Sequence, residues 1–196
     1  MRLLLLALTL LLLGHPALAE GANYDGIRYK GIPLGLTVPQ LKQEMQKRGW
    51  SCTDCPSEAY KLRPYIGDCK VYWLHTDFSG STLAGSVSFI PFATFVPSGG
   101  DYHLNSIYGR INVEDAETVM ASACKQYGKP EVQEATGKTI WRVGQRDRSV
   151  MVIQPDTMTK SQVSFGLDRL TNTAVNNART KANMSFEERV KTAPGL

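Results

Sequence analysis

Two capped helical stretches, with strand patterns between and after them, constrain this chain more than any other feature. In the first, Thr37 stands before an apolar-periodic run and Gln40 follows three residues later, a capping box. Pro39 falls in the first turn, where its missing N–H is harmless. Val38, Leu41 and Met45 mark one face, and Gly49 predicts the stop. In the second, Asn112 is the expected N-cap, with Glu114 and Asp115 complementing the positive end of the dipole. Val113, Ala116, Val119, Met120, Ala123, Cys124 and Tyr127 recur at spacings of three and four, and Gly128 with Pro130 ends the helix. Each helix has one apolar stripe, so each can cover only one face of a sheet.

The intervening segments read as strands. Lys70 to His75, Leu83 to Phe89 with Gly85 at a bulge, and His103 to Ile111 are predicted. Thr139 to Val143 and Ser149 to Ile153 form an expected hairpin, with Ser161 to Phe165 as a last strand and Tyr24 to Ile32 as a first. Over His103 to Ile111, Leu104, Ser106, Tyr108 and Arg110 alternate against His103, Asn105, Ile107 and Gly109. The stretch from Phe89 to Val96 is apolar and strand-length but contains Pro91. The N-caps Thr37 and Asn112 lie 75 residues apart, which hints at a duplicated helix-plus-meander unit. The expected class is α+β: an antiparallel sheet with two helices packed on one face.

At the start, Met1-Arg2 precedes eleven apolar residues, Leu3 to Leu13, and Ala17-Leu18-Ala19 has the small-x-small pattern of a signal-peptidase site. The run is too short to span a bilayer. The expectation is a signal peptide over 1–19, an α+β domain over 20–170 and a polar, loosely attached helical tail over 171–196. Cleavage between Ala19 and Glu20 would place the protein in the periplasm or outside the cell. No cysteine stands at that site, so a lipoprotein anchor is not expected, nor is a transmembrane segment in the mature chain.

Loss of Arg2 from 22 basic residues leaves 21 against 18 acidic ones, a net charge of +3. That excess is too small, and its residues too dispersed, for a nucleic-acid partner. Lys42, Lys47 and Arg48 crowd most, but Gln40, Gln43, Glu44 and Gln46 stand among them, as on a solvated helix face.

The four cysteines all follow the expected cut. Cys52-Thr53-Asp54-Cys55 is a C-x-x-C, but it follows a helix end and precedes Pro56. Thiol–disulfide chemistry needs such a pair at a helix N-terminus, where the thiol pKa is lowered. A zinc site would need a second close ligand pair, which the sequence lacks. Structural disulfides are the expectation, with Cys55 pairing Cys69 across a strand connection and Cys52 pairing Cys124 to tie the halves together.

No serine-nucleophile frame, phosphate loop or metal-spaced histidine is present; His75 and His103 are the only histidines after the cut. No cofactor and no catalytic residue is expected. Aromatics gather around the first strands. Tyr72 and Trp73 must point to opposite faces of one strand, so one meets the core and the other the open face. Tyr72, Trp73, His75, Tyr108 and Arg110 are the candidate partner-binding residues of that face, the strand phase deciding which are exposed.

Lys30-Gly31-Ile32-Pro33-Leu34-Gly35-Leu36-Thr37 before a helix, and Lys125-Gln126-Tyr127-Gly128-Lys129-Pro130 followed by Thr139-Ile140-Trp141, resemble segments of small exported bacterial proteins. These proteins share a fold similar to that of the β-lactamase-inhibitor protein and the small outer-membrane-assembly lipoprotein. The resemblance implies helix-hairpin units whose sheet presents a binding surface. It brings no catalytic residue. The expected function is therefore non-enzymatic binding of a protein or envelope component through the open sheet face. A periplasmic enzyme or thiol-redox protein using Cys52 and Cys55 is the first alternative, and a structural envelope protein the second.

Overall fold

The structure, a computed structural model, describes residues 25–54, 70–145 and 148–167. The expected signal peptide, the Cys55–Cys69 pair and the polar tail lie outside them. The chain opens with a hairpin, β1 (Arg28–Tyr29) and β2 (Ile32–Pro33), followed by helix α1 (Val38–Gln46). Strands β3 (Ser51–Asp54) and β4 (Lys70–His75) follow. A small hairpin, β5 (Thr82–Leu83) and β6 (Val87–Ser88), leads to β7 (Phe92–Ser98) and β8 (Asp101–Asn112). Helix α2 (Ala116–Tyr127) then precedes β9 (Glu131–Gln133), β10 (Lys138–Val143), β11 (Ser149–Pro155) and β12 (Lys160–Leu167).

Among the described residues, the main sheet has eight strands in the order β3-β4-β7-β8-β12-β11-β10-β9, every neighbouring pair antiparallel. This order is two copies of one idea. Each helix is followed by four strands of the main sheet, and the last strand of each set, β8 and β12, pairs at the centre. The fold is thus α+β with a duplicated helix-plus-meander plan. Leu41 and Met45 of α1 and Val119 and Ala123 of α2 enter one core with Leu74, Phe95, Ile107, Val163 and Trp141 of the sheet. Both helices therefore cover the same face.

Local chemistry explains α1. The Gln40 backbone N–H points at Thr37 Oγ1 at 3.5 Å, and the Thr37 N–H donates to Gln40 Oε1 at 2.7 Å. This reciprocal pair satisfies two orphan donors of the first turn. On the outer face, Glu44 accepts from Lys47 at 2.5 Å and from Arg48 at 3.0 Å. The Lys47 and Arg48 hydrogen bonds hold the Glu44 carboxyl below its ordinary pKa. A carboxyl lowered in the fold contributes stability above its unfolded pKa, about 4.5, and loses it as pH falls through the folded value. Glu44→Gln should therefore leave melting at acid pH nearly unchanged and lower it at neutral pH. Thermal melts across that range check this; an equal loss at both pH values would rule it out.

Several expectations need correction. Asn112 adopts an extended N-cap conformation but makes no side-chain cap bond. A 3-10 turn, Val113–Asp115, intervenes and α2 begins at Ala116. Val113 and Cys124 are exposed and leave the stripe, which is carried by Ala116, Val119, Met120, Ala123 and Tyr127. Leu83 to Phe89 is a tight hairpin rather than one strand. Ala84 and Gly85 both take positive φ there, so Gly85 serves a turn and not a bulge.

The Cys52–Cys124 bridge is not formed. Cys52 lies in β3 at one edge of the sheet, whereas α2 packs on β10, six strands away. That is on the order of 30 Å at the usual strand spacing. A disulfide joins Cα atoms no more than about 7 Å apart.

Candidate functional site

The face of the sheet away from the helices is organised by register. Thr53, Trp73, Phe92, Tyr108, Ser164, Val152, Ile140 and Glu131 are successive Cα partners across all eight strands. One straight row of side chains therefore crosses the whole sheet. Its β4–β7–β8 segment is aromatic. Trp73 and Phe92 have ring centroids 6.3 Å apart and planes 22° apart, and Phe92 and Tyr108 stand at 5.8 Å and 25°. His75 extends the group along β4, its ring 4.4 Å from that of Trp73.

The next row adds to the patch. The Leu74 N–H donates to the Pro91 carbonyl at 3.0 Å, which carries the β4–β7 pairing one step beyond Trp73 and Phe92. His75 then stands opposite Ile90, which is 53% exposed, while Trp73 is 42% exposed. Arg110, also on this face, is held by Asp156 at 2.6 Å and rims the patch. Beyond it Gln154 Nε2 donates to Gln162 Oε1 at 2.8 Å. A flat aromatic and aliphatic centre with polar and arginine edges is the composition of the inner part of protein interfaces.

Of the five candidate residues, the structure brings Trp73, His75, Tyr108 and Arg110 to this face. Tyr72 goes the other way: it is buried in the core, edge-on to Phe95 with centroids 5.3 Å apart. Sequence reasoning misses Phe92 and Ile90. Both flank Pro91 in a nearly continuous apolar run, which carries no alternation to give their phase.

Two small hydroxyls stand one step along β7 and β8 from the aromatic row. Thr94 and Ser106 are register partners, both buried, and neither hydroxyl has a hydrogen-bond partner among the described residues. The expected alternation along β8 also breaks close by. Thr94 faces Ser106 but Phe95 faces Leu104, so Asn105 is an extra residue and Leu104 joins Ile107 in the core. The bulge lies just beyond this buried pair, between Thr94 and Phe95.

The cysteine alternative has a different setting. Cys52 is the second residue of an edge strand, whereas thiol–disulfide chemistry calls for a cysteine at the start of a helix. Among the described residues, no three His, Cys, Asp or Glu side chains gather closely enough to hold a metal ion. His103 is used within the fold, its Nδ1 lying 3.0 Å from the Gly35 carbonyl oxygen. No helix among the described residues is long and apolar enough to cross a membrane. No protein-family model matches the chain, and neither a curated protein nor a solved structure matches it.

Proposed function

We propose that this is an exported, non-enzymatic binding protein whose open sheet face docks a protein partner of the periplasm or extracellular space. The carrying observation is the Trp73–Phe92–Tyr108 row, with His75 and Ile90 beside it, left uncovered by either helix. Large aromatic side chains on a rigid strand bury much area at low entropic cost, which is why they dominate the affinity of protein interfaces. Kinship with the exported helix-plus-hairpin proteins belongs to the same proposal. It is supported by the two successive units of one helix and four sheet strands. Export is supported by the Leu3–Leu13 run and Ala17-Leu18-Ala19.

The test is a comparison of two neighbours in one strand. Trp73→Ala should weaken capture of the partner identified in an envelope extract by about 2 kcal/mol or more, with little change in melting temperature. Tyr72→Ala should cost about 3–5 kcal/mol of stability, because its ring is in the core. If Trp73→Ala and Tyr108→Ala bind that partner as the parent does, the face is structural and the proposal fails.

A further inference from the structure

On the opposite side of the sheet, a cavity of about 400 Å³ lies between α2 and the first two hairpins. That volume falls within the range of sites for small organic molecules, about 300–1,000 Å³. Its floor is apolar and buried: Val119 and Ala123 of α2, with Met151 and Phe165 of the sheet beneath. Its outer end carries Arg28 and the exposed Lys30, and no Asp or Glu lines it among the described residues.

The backbone around it is strained in a telling place. Lys30 and Ala84 are the two non-glycine residues with positive φ among the described residues, at 49° and 47°. Both line this cavity. Lys30 and Gly31 form the two-residue turn between β1 and β2, and Gly31 is also at positive φ. Such a turn favours Asn or Gly at both central positions, so a lysine in the first is held against its preference. Residues kept in sparsely populated conformations gather at ligand sites more than elsewhere. An ammonium group placed at the rim of an apolar cavity is a reason to keep a lysine in that turn.

We propose that this cavity binds an amphiphile with an alkyl chain and an anionic head. The chain lies on Val119, Ala123, Met151 and Phe165, and the head meets Lys30. Burial of the chain supplies the affinity in proportion to the apolar area removed from water. The Lys30 ammonium selects an anion over a neutral head group, since hydrogen bonds to charged groups are about twice as strong as neutral ones. This site lies on the helix-covered side of the sheet and is independent of the open-face row.

Isothermal titration with decanoate, and with decanol as the neutral control, tests this. Saturable decanoate binding, at least about tenfold tighter than decanol, is expected. Lys30→Gly should weaken decanoate about tenfold while raising the melting temperature, because glycine relieves the turn. Ala123→Leu should abolish binding by filling the cavity. Co-sedimentation with phosphatidylglycerol vesicles separates the two sources of such a chain. Pelleting that decanoate competes away assigns a lipid, and decanoate binding without pelleting assigns a free acid. Either result upholds the cavity as the site. Absence of saturable decanoate binding, or unchanged binding in Lys30→Gly, overturns the proposal even if Ala123→Leu does not fold.

Discussion

Trp141→Ala should lower unfolding stability by about 3–5 kcal/mol, measured by urea denaturation. Trp141 sits in β10 opposite Met151 and is almost wholly buried. Its position is the hinge of α2 on the sheet. The indole Nε1–H donates to the Gly128 carbonyl at 3.0 Å, just where α2 ends. That carbonyl belongs to the end of the helix, where the last carbonyl groups have no partner within the helix. One side chain therefore fills the space under α2 and satisfies its end. Truncation removes both the packing and the bond. Trp141→Phe keeps part of the packing and should cost less. A loss under about 1 kcal/mol for Trp141→Ala would mean that α2 is not seated on β10 through this residue.

Trp141 also shows what kind of information a sequence holds. The α2 stripe, the Gly128 stop and the β10–β11 hairpin are local patterns, and the structure has all three with Val143 opposite Ser149. Lys70–His75 and the Thr37 capping box are equally local and appear as expected. Even the two-unit plan is hinted at by the spacing of Thr37 and Asn112, although Asn112 makes no cap bond. What failed was phase. Cys124 lies only about 100° around the helix from Ala123, and that single step takes it from the core to solvent. Asn105 inserts one residue into β8 and reverses the alternation beyond it, and no residue type at that position announces a bulge. The aromatic row was half legible. Composition gathered Trp73, His75 and Tyr108 as candidates, but their alignment with Phe92 is a property of pairing between strands. Register across β4, β7 and β8 depends on turns and bulges that lie far from the rings themselves.

Gly109→Ala should destabilise the fold by about 3 kcal/mol, the upper end of the usual cost of overpacking. Strand propensity alone predicts the reverse, since a glycine in a strand interior loses more entropy on folding than alanine. Packing decides the sign here. Gly109 lies in β8, one of the two central strands, paired with Val163. A Cβ built on it would stand 2.7 Å from Phe89 Cε2 and would also strike the Ile90 carbonyl oxygen. Phe89 thus occupies the place that a side chain at 109 would take. Its ring cannot retreat cheaply, because it is fully buried against Tyr29 at 5.8 Å and Phe165 at 6.4 Å. The Ile90 carbonyl is main chain and cannot rotate away. It also precedes Phe92 by two residues, so any shift there moves the strand that carries the middle ring of the open-face row. Gly109→Ala should therefore lower the melting temperature and also disturb partner capture through Phe92. Phe89→Leu in the same chain should recover part of the stability by opening space above the new methyl group. A Gly109→Ala protein as stable as the parent would show that Phe89 does not pack on this strand, and the placement of β7 beside β8 would have to be revised.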